Sequence, residues 1–123
     1  SDALAAVLAD AKASVEPLVD HQRVGSPARA VLEAIEELSR RAASAPLDPA
    51  TAQANARALA IGAGTTYACA RLCAQGAWAA ERGSTLTAAA AMRLAQRGLV
   101  PAPASDDLAL AMDEERAHHR DGA

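Results

Sequence analysis

The stretch from Pro49 to about Arg82 constrains this chain more than any other part of it. Asp48-Pro49 opens it, a capping residue followed by proline where its missing N–H costs nothing, and no strong breaker follows until Gly83. At 1.5 Å per residue this predicts a single helix of about 50 Å, which has to lie against several neighbours. Most of its side chains are small. Gly62, Gly64 and Gly76 sit inside it, and each glycine costs about 1 kcal/mol of helix propensity relative to alanine, so close packing is the expected reason for them. By the i, i+3/i+4 rule, Gly62, Cys69, Cys73, Gly76 and Ala80 share one stripe with almost no bulk, where a neighbouring helix of this chain should approach closely. Ala60, Ala63, Tyr67, Arg71, Ala74 and Trp78 share another. Tyr67 and Trp78 are the only aromatic residues in the sequence, and Arg71 is the one charge between Arg57 and Glu81. Tyr67, Arg71 and Trp78 are therefore the candidates for contact with a surface outside the chain, with Arg71 expected to stack on a ring or reach Glu33 or Glu37.

The remaining sequence also reads as helix. Leu4, Val7, Leu8, Ala11, Val15, Leu18 and Val19 follow Asp2 at helical spacing, and Pro17 should kink or restart that run. Gly25 is expected to end it. Ser26-Pro27 reads as the start of a second helix with Ala28, Val31, Leu32, Ile35 and Leu38 on its apolar stripe, and with Glu36→Arg40 and Glu37→Arg41 as i,i+4 pairs. Ser84 is expected to cap a further helix with Leu86, Ala90, Leu94 and Arg97 along one side and Gly98 at its end. Val100-Pro101-Ala102-Pro103-Ala104 reads as a linker, followed by a short helix through Leu108, Ala111 and Met112 and a charged end. The fold class is thus all-α: an antiparallel bundle of four main helices over residues 1–99, then linker, short helix and tail over 100–123.

Chemistry is hard to place on this frame. Half of the residues count as hydrophobic, but most of these are alanine and there is no phenylalanine. The core is therefore thin, and close backbone packing or a partner should supply what large side chains do not. A net charge of −3 argues against a nucleic-acid surface, and no stretch is apolar enough for a membrane span. Cys69 and Cys73 lie one turn apart on one helix, a spacing that suits a reducing cytoplasm better than a disulfide framework and supplies too few ligands for zinc. His118-His119, Asp106-Asp107, Asp113-Glu114-Glu115 and Asp20-His21 lack any accompanying pocket or nucleophile motif. No catalytic, cofactor-binding or metal-ligating residue is assigned.

The order of segments carries a resemblance. Ser26-Pro27-Ala28-Arg29-Ala30-Val31-Leu32-Glu33-Ala34-Ile35-Glu36-Glu37-Leu38 follows a Leu-rich first helix. Asp48-Pro49-Ala50 leads into Asn55-Ala56-Arg57-Ala58-Leu59-Ala60-Ile61-Gly62. Then come Thr66-Tyr67-Ala68-Cys69-Ala70-Arg71-Leu72-Cys73-Ala74-Gln75-Gly76-Ala77-Trp78 and Ala89-Ala90-Ala91-Met92-Arg93-Leu94-Ala95-Gln96-Arg97-Gly98. Over most of residues 3–99 this pattern of apolar helices resembles the C-terminal helical region of larger bacterial acyl-CoA dehydrogenase-like flavoproteins, including the AidB-like group. The resemblance implies a parent protein that binds FAD and acts on acyl-CoA thioesters, or a non-catalytic relative of one. In that family the catalytic glutamate and the FAD- and CoA-binding segments belong to preceding core domains, and no segment here matches them. What carries over is a role: packing on those core domains or across a subunit interface in an oligomer. A free-standing helical interaction or dimerisation module is the alternative expectation.

Overall fold

The computed structural model describes residues 2–44 and 48–102. Four helices account for most of them: α1 (Asp2–Val15), α2 (Gly25–Ala43), α3 (Pro49–Ala80) and α4 (Leu86–Arg97), with a single 3-10 turn at Glu16–Leu18 after α1. Among the described residues there is no strand, so the all-α, four-helix expectation holds. The short helix and charged end expected beyond Pro103 lie outside the described residues.

Each helix follows from its sequence, with three corrections. In α1 the apolar residues Leu8, Ala11 and Val15 recur at helical spacing and are buried, and the α-helix stops two residues before Pro17, whose ring is accommodated at the start of the 3-10 turn. The first correction concerns the start of α2. Gly25 opens this helix rather than closing the preceding element, and Ser26 is not its cap. His21 does that work instead: its Nδ1 accepts from the backbone N–H of Arg23 (3.0 Å) and of Val24 (3.3 Å), and its carbonyl accepts from Gly25 (2.9 Å). Along α2, Ala28, Val31, Ala34, Ile35 and Leu38 are buried, while Glu33, Glu36 and Arg40 face solvent. The second correction is to its ion pairs. Arg40 turns to Glu37, not Glu36, and Arg41 joins it on the same carboxylate at 2.7 Å.

In α3, the Asp48 carboxylate accepts from the Thr51 backbone N–H at 2.7 Å, the cap its position predicts. The far end closes at Ala80, where Gly83 N–H reaches the Ala80 carbonyl and Ser84 N–H reaches Ala79. These two bonds require a left-handed residue between them, and Gly83 supplies it at φ +88°. The third correction concerns α4. Thr85, not Ser84, is its N-cap and gives no side-chain hydrogen bond, and the buried stripe is Ala88 and Ala91 rather than Leu86, which is 79% exposed.

The arrangement is centred on α3, which packs against α1, α2 and α4, whereas α1 and α4 do not touch each other. Two close contacts set the α2/α3 register. A Cβ built on Gly62 would lie 2.7 Å from Leu38 Cδ2, and one built on Gly76 would lie 3.1 Å from Val24 Cγ1. The partner number falls as the α3 number rises, so these two helices run antiparallel. The same holds for α3 and α4, where Gly76 meets Ala88 and Cys69 meets Ala91. After α4 the chain turns back: Leu99 is buried, Arg41 donates to the Pro101 carbonyl at 2.6 Å, and Pro101 Cδ lies 3.2 Å from the Gly62 Cβ position. Residues 99–101 are thus part of the packed unit.

Of the seventeen buried hydrophobic residues described, eight are alanine, and no aromatic ring is among them. A core of such small groups closes only if the backbones come near one another, which is what the glycines of α3 allow.

Candidate interaction surface

The two faces of α3 differ in kind. On the inner face Gly62, Ala63, Thr66, Cys69, Ala70, Cys73, Gly76 and Ala77 are buried. The tightest point is Gly76, whose Cβ position lies 2.9 Å from both the backbone N and the Cα of Ala88. Cys69 and Cys73 are free thiols and wholly buried, and Cys69 Sγ points to the Ala91 carbonyl at 3.7 Å. Contact with Cys69, reinforced by burial, pushes the Cys73 thiol up. Thr66 is buried with no hydrogen-bond partner for its hydroxyl, a local cost of about 1–3 kcal/mol that the close packing around it has to outweigh.

The outer face is built by the same helical repeat. At about 100° per residue, Arg57, Arg71, Trp78 and Arg82 fall within roughly 60° of one another, on the side opposite Gly62. Arg57, Arg71 and Arg82 are exposed, and Trp78 is 61% exposed. Ala60, Gly64 and Ala68 between them are exposed as well, and nothing stands within 4 Å of a Cβ placed on Gly64. Tyr67 flanks this strip and is half-buried against the core. The cation over Trp78 is Arg82, 3.9 Å from the ring centroid and also hydrogen-bonded to the Trp78 carbonyl at 2.8 Å. It is not Arg71, because a residue four positions on sits directly over the ring of a helical tryptophan, whereas Arg71 is seven positions back.

Arg71 does not reach Glu33 or Glu37 either. Those carboxylates border an open cleft of about 260 Å³ between α2 and α4, floored by Ala30, Ala34, Ala95, Leu99 and Val100. The hydrogen bond from Arg41, with Arg40 alongside, holds the Glu37 carboxyl below its ordinary value. Among the described residues no carboxylate pairs with Arg57, Arg71, Arg82, Arg93 or Arg97. The structure therefore brings Gly62, Cys69, Cys73 and Gly76 together on the inner face and Arg71 and Trp78 on the outer one, with Tyr67 at the border. Arg82 belongs to the outer strip and was missed by sequence reasoning, although its i+4 spacing from Trp78 was the available signal.

Among the described residues, no group of three or more His, Cys, Asp or Glu side chains is placed to hold a metal, and no helix is long and apolar enough to cross a membrane. Comparison with known proteins finds no family model, no curated protein and no solved structure that matches the chain.

Proposed function

We propose that this chain is an accessory packing module, a helical bundle that supports assembly rather than catalysis and offers the outer face of α3 to a partner. The observation that carries this reading is the open strip on the bundle's central helix. On the face of α3 opposite Gly62, Ala60, Gly64 and Ala68 face solvent among the exposed Arg57, Arg71 and Arg82, beside a 61% exposed tryptophan. Aromatic and arginine side chains together are the usual anchors of protein interfaces.

The partner we propose is the core of a larger acyl-CoA dehydrogenase-like flavoprotein, or another of its subunits, in the cytoplasm. The resemblance of the sequence pattern over most of residues 3–99 is what supports this assignment, and two buried free cysteines one turn apart suit a reducing compartment. Any FAD and acyl-CoA chemistry would belong to that core. Self-association through the α3 strip is disfavoured by its charge, since two such faces would set arginine against arginine.

The reading frame upstream of Ser1 tests the assignment. Several hundred further residues able to form a flavin-binding core support it, and a start codon directly before Ser1 sinks it. With that core in hand, Arg71→Glu combined with Trp78→Ser should abolish its capture by this chain without moving the chain's melting temperature.

A further inference from the structure

The outer strip of α3 carries charge of one sign only. From Pro49 to Ala80 the helix holds no acidic residue, and its arginines are Arg57 and Arg71, with Arg82 just past its end. All three are exposed, and none has an acidic partner among the described residues. Arg57 to Arg71 is about 21 Å along the axis and Arg71 to Arg82 about 16 Å, so the three cations mark out a line of about 37 Å. Between the first two lie the exposed Ala60, Gly64 and Ala68, with Ile61 62% exposed beside them; between the second two lies Trp78. The strip is cationic at three points and largely apolar between them.

From this we infer that the segment seated on the strip is an acidic α-helix of the partner, lying along α3 with carboxylates at three points on one face. The inference rests on the reading of this strip as the working face, and adds the chemistry of what it takes. Sign comes first: three arginines without counter-charges favour carboxylates, and α3 itself supplies none. Backbone accounting gives the conformation. The interior of a helix has no free N–H or C=O to lend, so a segment laid along it has to satisfy its own, which a helix does and an extended strand does not. The floor fits as well. A Cβ on Gly64 meets nothing within 4 Å, so a partner helix can come close midway between Arg57 and Arg71. Charge density separates this occupant from a nucleic acid. A duplex carries one negative charge per about 1.7 Å of axis, about twenty along the same line, against three cations with apolar groups between them. On an acidic helix running antiparallel to α3, carboxylates at i, i+11 and i+25 come level with Arg82, Arg71 and Arg57 and fall within about 40° of one another.

Trp78 is the only tryptophan in the chain, so its fluorescence reports this strip alone. The probe is a synthetic alanine-rich helical peptide without tryptophan, about thirty residues long so as to span the line, with glutamates at i, i+11 and i+25. At low salt it should blue-shift the Trp78 emission of the full chain. A peptide of the same composition with its glutamates spread around the helix should bind roughly tenfold more weakly. Gly64→Leu, which changes no charge, and Arg57→Gln with Arg71→Gln should each weaken the matched peptide roughly tenfold, and circular dichroism checks that each variant keeps its helicity. No binding of the matched peptide, equal binding of the two peptides, or binding indifferent to Gly64→Leu overturns the inference. Tighter binding of a duplex DNA oligonucleotide than of the matched peptide overturns it in favour of a nucleic acid. A blue shift that grows with the chain's own concentration before any peptide is added overturns it in favour of a second copy. If the matched peptide fails while Arg71→Glu with Trp78→Ser still abolishes capture of the flavoprotein core, the strip keeps its proposed function and only the acidic helix is lost. If the matched peptide binds and the core is not captured, the flavoprotein assignment is lost and the acidic helix stands.

Discussion

α2 and α3 lie side by side and bury faces of similar length, but they do so by opposite means. α2 sorts its residues: Val31, Ile35 and Leu38 point inward while Glu33, Glu36 and Arg40 point out, as its periodicity predicts. α3 sorts very little. Its inward residues are Gly, Ala, Thr and Cys, and its outward ones include Ile61 and Trp78, each more than 60% exposed. α2 contributes side-chain volume to the core, and α3 contributes the absence of it. The Leu38 side chain fits because Gly62 leaves a hollow, and the backbone of α4 fits because Gly76 leaves another. An amphipathic stripe and a groove of small residues are thus two halves of one contact, and only the first has a hydrophobic signature.

If α2 supplies the volume, removing it there should cost most. Leu38 is fully buried, and Leu38→Ala should destabilise by about 2–5 kcal/mol, measured by chemical denaturation. The comparison predicts more than this loss. In the Leu38→Ala background, Gly62→Ala should recover part of it, because the Cβ at position 62 then escapes the 2.7 Å approach of Leu38 Cδ2 and keeps only that of Pro101 Cδ at 3.2 Å. A coupling of about 0.5–3 kcal/mol in the double-mutant cycle is expected, and strict additivity would break the picture of a matched knob and hollow.

The next effect belongs to α3. Gly76→Ala adds one methyl group against the backbone of α4 at 2.9 Å, which no rotamer change relieves. Overpacking of this kind costs about 1–3 kcal/mol. The helix-propensity gain of about 1 kcal/mol offsets only part of it, so the variant should be less stable by thermal melting. A Gly76→Ala protein as stable as the parent would mean that α4 is not held at the distance seen.

The contrast also explains what could be read from sequence. The stripe of α2 was legible because hydrophobic periodicity is a strong signal. The α3 stripe of Gly62, Cys69, Cys73 and Gly76 was legible for a different reason: glycine inside a long helix is costly enough to need a cause. The partners of that stripe were not legible. Ala88 faces Gly76, yet alanine recurs so often in α4 that its pattern favours no face, and Leu86, the bulkier residue, misdirects. Helix starts were also misread. Ser26-Pro27 has the form of a cap, but His21 is already holding the Arg23 and Val24 amides, a bond from an imidazole that no propensity scale anticipates. On the outer face, Tyr67, Arg71 and Trp78 were found by composition, whereas the stacking of Arg82 on Trp78 depended on which of two arginines the ring meets.

The smallest effect is the most direct check on the division between the two faces. Gly64 lies two residues from Gly62 on the same helix, so any general argument about glycine in α3 applies to both. Position 64, however, points outward, and a Cβ there meets nothing within 4 Å. Gly64→Ala should therefore keep the full helix-propensity gain and stabilise the bundle by about 0.5–1 kcal/mol, seen as a rise in melting temperature. The sign is opposite to that at Gly76, although the substitution is the same. A loss of stability would mean that something packs on this part of α3 in solution.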